Sequence, residues 1–310
     1  MKKNVSFVFP GQGSQSVGML AELAEQYSLV EKLFSEASQI LNYDLWKIVS
    51  TGPAETLNQT IYTQPALLVA DVAVWRIWQE KGGFEPAIMA GHSLGEYAAL
   101  VAAESIAFAD AVGLVAKRAR FMQEVVAEGQ GAMVVILGLS SEQVVDVCKQ
   151  SAQNDIVAAV NFNSPAQIVI AGDSVAVERA MELAKKTGAK RAMKLPVSVP
   201  SHCELMKPAA EQLAICLNAV SIKPPKMPII NNVDVKANQH PDDIRDALVR
   251  QLCNPVRWVE TINAVVADGI DTIFECGPGK VLSGLNKRIN GDLNLFGLNN
   301  LEELLKGGSE

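Results

Sequence analysis

The chain has 310 residues, of which 49% are hydrophobic and 20% are charged, a balance that supplies enough apolar surface for a folded core and excludes wholesale disorder. Its formal net charge of -7 excludes a global positive field that would hold a nucleic acid or an anionic membrane surface. The most apolar stretch, residues 65–78, contains Asp71 and Arg76 and falls short of the roughly 18 uninterrupted apolar residues of a membrane span.

The predicted elements begin with a strand at residues 5–9, a β-rich run that stops at Pro10 and Gly11, and helical patterning follows from about Met19. This run is shorter than the roughly 7 to 15 apolar residues of a signal peptide. The five cysteines are an odd count without a close C-x-x-C pair, which argues against a disulfide framework or a zinc site. We therefore expect a protein of the cytoplasm.

A helix, a strand and a second helix follow in the first half of the chain. Pro65 suits the first turn of a helix that runs to about Lys81, where two glycines stop it. The pattern then predicts a strand at 87–90 and an alanine-rich helix at 96–104. The pentapeptide 91–95 therefore occupies a strand–turn–helix junction.

A different pattern covers the middle of the chain. It predicts a β-α-β-β-α-β order, in which Ser140 and Gln143 can form a capping box, and this order is typical of a ferredoxin-like module. The six elements are predicted at residues 132–139, 141–152, 156–161, 167–171, 175–187 and 191–197. Strand–helix alternation resumes at 227–231, 244–252, 256–267, 272–275 and 281–289. We expect a large α/β domain of residues 1–127 and 198–310 with a small inserted subdomain of residues 128–197.

The junction at 91–95 carries the pattern Gly91-x-Ser93-x-Gly95, which matches a nucleophile elbow. In such an elbow a sharp strand-to-helix turn exposes the serine oxygen, and small flanking residues avoid backbone clashes. The pattern alone is usually an ordinary turn, but the strand before it and the helix after it favour a nucleophile. The sequence therefore predicts Ser93 as the reacting residue.

A serine nucleophile needs a base, and the chain has three histidines. His92 is adjacent to the serine and is expected to pack or hydrogen-bond beneath it, whereas His240 lies in a polar turn and is expected to be solvated. His202 remains as the predicted base, with a purely structural histidine as the alternative. No acidic residue stands out as its partner, so a backbone carbonyl could orient the imidazole instead.

Arg118 falls in the middle of an apolar helical stripe in the helix that begins near Asp110. A guanidinium on a core-facing stripe needs an anion, and its planar fork suits bidentate pairing with a carboxylate. One interpretation is an internal salt bridge or a stem that extends to solvent. The functional interpretation is a site for a substrate carboxylate.

Two glycine-containing turns fail as phosphate-binding loops. Residues 10–15 follow the first strand, but Ser16 stands where a dinucleotide fingerprint requires glycine, and residues 277–280 lack the first glycine of a phosphate loop. An amide of the first turn could instead supply half of an oxyanion hole, with the amide of Leu94 as the other half. The second is predicted to be a strand-to-helix turn.

Five cations lie within ten residues of this acidic chain, and we call them the basic patch: Lys185, Lys186, Lys190, Arg191 and Lys194. Cations at the end of a helix complement its dipole, so a solvated helix end is one interpretation. A docking surface for an acidic, phosphorylated partner is the other.

Taken together, the motifs resemble those of the malonyl-CoA:acyl-carrier-protein transacylases of bacterial fatty acid synthesis, from about Asn4 to Ile289. The segments that carry the resemblance are 9–15, 91–96, Arg118 with 122–123, 161–165, 200–202, 231–232, 251–256 and 277–280. The fold that the resemblance implies is α/β, with an α/β-hydrolase-like large domain around a parallel sheet and an inserted ferredoxin-like subdomain.

The resemblance also implies the roles of the site residues. Ser93 would be acylated, His202 would be its base, and Arg118 would hold the malonyl carboxylate. The amides of Gln12 and Leu94 would form the oxyanion hole. The remaining implied contacts are the main-chain carbonyl of Gln251, which would orient the histidine, and Asn161 at the substrate. The implied partners are malonyl-CoA and acyl carrier protein, with no metal and no tightly held cofactor, and we expect a monomer.

Three questions stay open at this point. Ser201, before the histidine, is small, whereas related malonyl-specific polyketide acyltransferases often carry a bulky residue there, so methylmalonyl tolerance is not excluded. A serine hydrolase would use the same elbow and base but let water deacylate the serine. A third hypothesis is a non-catalytic scaffold that binds carrier protein through the basic patch. The presence of both the serine and the histidine argues against it.

Overall fold

The computed structural model describes residues 2–127, 129–197 and 199–299. The strands are β1 (Lys2–Phe9), β2 (Glu85–Gly91), β3 (Gly131–Leu137), β4 (Val157–Ser164), β5 (Gln167–Asp173), β6 (Arg191–Lys194), β7 (Ile229–Ile230), β8 (Thr272–Glu275) and β9 (Asn294–Gly297). The first seven helices are α1 (Ala21–Gln26), α2 (Leu29–Leu41), α3 (Leu45–Thr51), α4 (Ala54–Leu57), α5 (Thr60–Glu80), α6 (Gly95–Ala102) and α7 (Phe108–Val125). The later helices are α8 (Ser141–Ala152), α9 (Ser174–Lys186), α10 (Lys207–Asn218), α11 (Pro241–Gln251), α12 (Trp258–Ala267) and α13 (Val281–Ile289).

A five-stranded parallel sheet forms the larger core, in the order β7-β2-β1-β8-β9. Residues 5–9 of β1 are buried throughout, as expected for a strand whose two faces are both covered by helices. One face packs on an aromatic cluster that includes Phe7, Trp78 and Phe274. The carboxyl ends of β1 and β2 lie side by side, since Phe9 pairs with Gly91, and this edge is where open α/β sheets bind ligands.

The central helix α5 packs against α6 and α7. The prediction that Pro65 begins this helix is wrong, because the helix starts five residues earlier, at Thr60. Proline inside a helix removes one backbone hydrogen bond, but every residue from Thr63 to Trp75 is buried, and burial of apolar surface outweighs local propensity. The predicted end is correct, since Gly82 follows with a φ of 74°.

The second sheet has four antiparallel strands in the order β4-β5-β3-β6. Helices α8 and α9 cover one face with a separate apolar cluster, and the elements follow the predicted β-α-β-β-α-β order. The capping box between Ser140 and Gln143 is present. The domain limits expected at residues 128 and 198, and the end of the chain from residue 300, lie outside the described residues.

Several element boundaries differ from the sequence prediction. Strand β6 ends at Lys194 rather than Val197, and β7 has only two residues. The edge strand β9 was not predicted; it pairs in parallel with β8 at the edge of the sheet. Among the described residues, none of the helices combines the length and hydropathy that a bilayer crossing requires.

Candidate active site

The turn between β2 and α6 places Ser93, which is half-buried, at the carboxyl end of the parallel sheet. Its φ of 53° lies in the left-handed region, which costs a non-glycine residue about 1–3 kcal/mol. The flanking glycines are required by close approach: a Cβ on Gly91 would lie 2.0 Å from the carbonyl carbon of Gly95, and a Cβ on Gly95 would lie 2.0 Å from the carbonyl oxygen of Phe9. The Gly-x-Ser-x-Gly spacing therefore follows from the space available around the turn.

His202 lies across from this serine, with its Nε2 2.7 Å from Ser93 Oγ. Its Nδ1 is 2.7 Å from the carbonyl oxygen of Gln251. A carbonyl oxygen only accepts, so Nδ1 carries the proton and Nε2 is free to accept the serine hydroxyl proton. Burial, and next the charge of Arg118, lower the pKa of His202 from 6.5 to about 3. The ring is therefore neutral at pH 7 and is available as a base.

Arg118 projects from α7 into the same site with only 1% of its surface exposed. Its Nη1 donates to Gln64 Oε1 (2.6 Å), and its Nη2 donates to Gln251 Oε1 (3.0 Å) and Ser93 Oγ (3.3 Å). Within residues 2–127, 129–197 and 199–299, no carboxylate lies within salt-bridge distance of the guanidinium, and its Nε has no acceptor. The internal salt bridge is therefore not formed, and the buried cation can still receive an anion.

Beside Ser93 and Arg118 lies a buried polar network that the sequence reasoning missed. Glu96 Oε2 accepts from Gln251 Nε2 at 2.9 Å and from the amide of Asn232 at 3.0 Å. Burial raises the pKa of this carboxyl from 4.5 to about 7 against the opposing effect of these hydrogen bonds. The available signal was an acidic residue in a helix whose other members, from Tyr97 to Ala102, are apolar. Gln64, which holds the arginine, gave no comparable signal.

The serine, histidine and arginine line a cleft between the two sheets. Its wall includes Gln12 and Leu94, whose backbone N–H groups donate to no protein acceptor among the described residues. Asn161 also lines the cleft, and its Oδ1 is buried without a partner in the described part of the chain. Met133 of β3 also lines the cleft, together with Leu195 and Val197, which follow β6, and with Ser201 beside the histidine.

The remaining sequence candidates are two histidines and the turn at 277–280. His92 lines the cleft next to Ser93; its Nε2 donates to Asn163 Oδ1 at 2.8 Å and its ring packs beside Trp258, so it packs and hydrogen-bonds next to the serine. His240 is exposed and caps the start of α11 rather than being a purely solvated residue. The turn at 277–280 joins β8 to α13, as predicted.

Comparison with known proteins identifies the family. A family model described as the acyl transferase domain matches residues 6–288. The malonyl CoA-acyl carrier protein transacylase of Salmonella typhimurium is 58% identical over 294 residues, which cover 95% of each chain. The crystal structure of an acyl carrier protein S-malonyltransferase from Vibrio cholerae has a TM-score of 0.95 at 54% identity and covers 98% of this chain and 99% of that chain.

A malonyl-transacylase solved in complex with its type II PKS acyl-carrier protein is similarly related, with a TM-score of 0.98 at 54% identity over 99% of both chains. These similarities extend over nearly the whole of each protein, so they include the cleft and both sheets. The chain therefore belongs to the acyl transferase family, among the malonyl CoA-acyl carrier protein transacylases.

Proposed function

We propose that the protein transfers a malonyl group from malonyl-CoA to the phosphopantetheine thiol of acyl carrier protein through a malonyl-serine intermediate. The observation that carries this proposal is the buried Arg118, which has no carboxylate partner among the described residues and lies 3.3 Å from the Ser93 hydroxyl oxygen. A cation in this position recognises an acyl group with its own carboxylate. The names of the relatives support the same substrate and acceptor.

In the first half-reaction, His202 Nε2 takes the hydroxyl proton as Ser93 Oγ attacks the thioester carbonyl of malonyl-CoA. The amides of Gln12 and Leu94 stabilise the oxyanion. The intermediate then collapses, the carbon–sulfur bond breaks, and the CoA thiolate takes the proton from His202. A malonyl ester of Ser93 remains.

In the second half-reaction, the phosphopantetheine thiol of the carrier protein enters after CoA has left, so the order is ping-pong. His202 takes the thiol proton and the thiolate attacks the ester carbonyl. The second tetrahedral intermediate then collapses, the bond to Ser93 Oγ breaks, and His202 returns the proton to Ser93 Oγ. A thioester is exchanged for a thioester, so the reaction is reversible with a small net free-energy change. Arg118 and Asn161 hold the acyl group in both halves.

The presence of two separate sheets supports a division of the chain into two parts. We assign residues 1–127 and 198–310 to an α/β-hydrolase-like catalytic domain and residues 128–197 to a ferredoxin-like subdomain. The strand order β4-β5-β3-β6, with both helices on one face, supports the second assignment. The product serves as extender unit for fatty acid synthesis, and we place the protein in the cytoplasm as a monomer.

The decisive experiment is acylation of the free protein. The protein is incubated with malonyl-CoA, quenched, and analysed by intact and peptide mass spectrometry, with Ser93→Ala as the control. The expected result is a malonyl adduct on the peptide that contains residues 91–95, stable in water and lost when phosphopantetheinylated carrier protein is added. Free malonate without a lasting adduct would identify a hydrolase, and the absence of any reaction would favour a scaffold.

A further inference from the structure

Glu96 takes no part in the reaction steps above, yet its carboxyl group is buried directly behind the reacting residues. Only 3% of its surface is exposed. Its Oε2 receives two hydrogen bonds, from the Gln251 side chain at 2.9 Å and from the Asn232 amide at 3.0 Å. Burying a carboxyl group in this way is costly, so a specific role in the site would account for its position.

Gln251 is the residue through which this carboxyl group reaches the site. Its Nε2 donates one hydrogen to the Ser93 carbonyl oxygen at 3.0 Å and the other to Glu96. Both partners accept hydrogen bonds, so the amide must present its Oε1 on the opposite side, where it accepts from Arg118 Nη2 at 3.0 Å. A reversed amide would direct NH₂ at the guanidinium and oxygen at two acceptors.

Asn232 links the same carboxyl group to the serine turn. Its Oδ1 accepts from the Ser93 amide at 2.7 Å, and its Nδ2 donates to the Gly91 carbonyl oxygen at 2.6 Å. Its own amide donates to Glu96. One carboxyl group therefore holds both the amide that positions the arginine and the asparagine that braces the turn.

We propose that Glu96 is a positioning residue that fixes the amide orientation of Gln251 and thereby holds Arg118 ready for the substrate carboxylate. This inference rests on the proposed function, because it assigns the arginine to the malonyl group. It predicts that loss of the Glu96 acceptor selectively impairs acylation by an acyl group with a carboxylate, whereas a merely structural residue would affect all acyl groups alike.

The test compares malonyl-CoA with acetyl-CoA in rapid-quench measurements of Ser93 acylation at pH 8. Glu96→Ala should lower kcat/KM for malonyl-CoA about tenfold or more, as expected for one lost hydrogen bond to a charged group, and for acetyl-CoA less than threefold. Glu96→Gln retains an acceptor oxygen and should restore most of the malonyl activity. Glu104→Gln, an exposed carboxylate just beyond α6 that pairs with Lys226, is the matched control.

A double-mutant cycle with Arg118→Ala gives the second readout. In that background Glu96→Ala should cause no further loss with malonyl-CoA, because the residue through which it acts is gone. The inference would be overturned if the fold-losses of the two single variants multiplied in the double variant. It would also be overturned if Glu96→Ala lowered kcat/KM equally for malonyl-CoA and acetyl-CoA. If Glu96→Ala does not fold, Glu96→Asp carries the test, since it keeps a carboxyl group but withdraws it from Gln251 by one methylene. Absence of a malonyl adduct on the wild-type protein would instead refute the proposed function.

Discussion

Replacement of Arg118 by alanine tests the substrate assignment most directly. The guanidinium is buried, its two terminal nitrogens donate to the side-chain oxygens of Gln64 and Gln251, and its Nε has no acceptor in the described part of the chain. Its positive charge is held beside Ser93 Oγ. The alanine variant removes this charge and leaves the Ser93–His202 contact in place.

The expected magnitude follows from the hydrogen bonds that a bound carboxylate would receive. A hydrogen bond to a charged group contributes about 1.5–3 kcal/mol, so two from the fork of Arg118 contribute about 3–6 kcal/mol. Since about 1.4 kcal/mol corresponds to a tenfold change in rate, kcat/KM for malonyl-CoA should fall by about 10²- to 10⁴-fold. Acetyl-CoA offers no carboxylate, so its relative rate should rise.

The assay is release of the CoA thiol in the presence of carrier protein, with both acyl-CoA substrates at matched concentrations. Arg120→Ala is the matched control, because this residue lies on the same helix with 61% of its side chain exposed, near Glu124. The control should leave both activities unchanged. Equal losses with malonyl-CoA and acetyl-CoA in Arg118→Ala would refute the carboxylate role and would favour a general effect on the site.

Three further predictions concern pH and charge. Because the pKa of His202 is lowered to about 3, the rate of Ser93 acylation should stay nearly constant from pH 8 to 5.5. A tenfold fall in this rate over the same range, with a midpoint near pH 6.5, would contradict the prediction. Burial raises the pKa of Glu96 from 4.5 to about 7, so the folded chain retains a proton that the unfolded chain releases. Relative to Glu96→Gln, the wild type should therefore lose about 3 kcal/mol of unfolding free energy as pH rises from about 4.5 to above 7. Urea unfolding of both proteins at pH 5 and pH 8 measures this change. If the two proteins differ in unfolding free energy by the same amount at both pH values, the pKa of Glu96 is not raised. In the basic patch, Lys185 and Lys194 pair with glutamates, whereas Lys186, Lys190 and Arg191 are exposed and form no ion pair among the described residues. Charge reversal at these three residues should raise the apparent KM for carrier protein and leave acylation by malonyl-CoA unchanged, with Lys223→Glu as the control. An unchanged KM would show that these cations do not bind the carrier protein.

The amino-acid sequence predicted most helices and strands where local chemistry is decisive. Helix α8 has the predicted limits because Ser140 and Gln143 form its capping box, and α13 and β8 also match. The prediction failed at Pro65, where the propensity of one residue competes with the burial of a long helix. It also failed at β9, which exists only because β8 offers it a parallel edge.

The sequence by itself determined the Gly-x-Ser-x-Gly turn and limited the candidate bases for its serine to three histidines. Tight backbone packing around Gly91 and Gly95 permits only glycine, and three histidines leave few candidates. The requirement at Gly91 is local, because an added Cβ would meet Gly95 of the same turn, whereas the requirement at Gly95 arises from its contact with Phe9 in β1.

Only the tertiary structure decided which groups meet. His202 is brought to Ser93 across 109 positions, and Gln251 reaches the same serine across 158. The raised pKa of Glu96 and the lack of a carboxylate partner for Arg118 in the described part of the chain depend on burial and on side chains from several elements. Such properties arise from the packing of distant segments, and no local pattern specifies them.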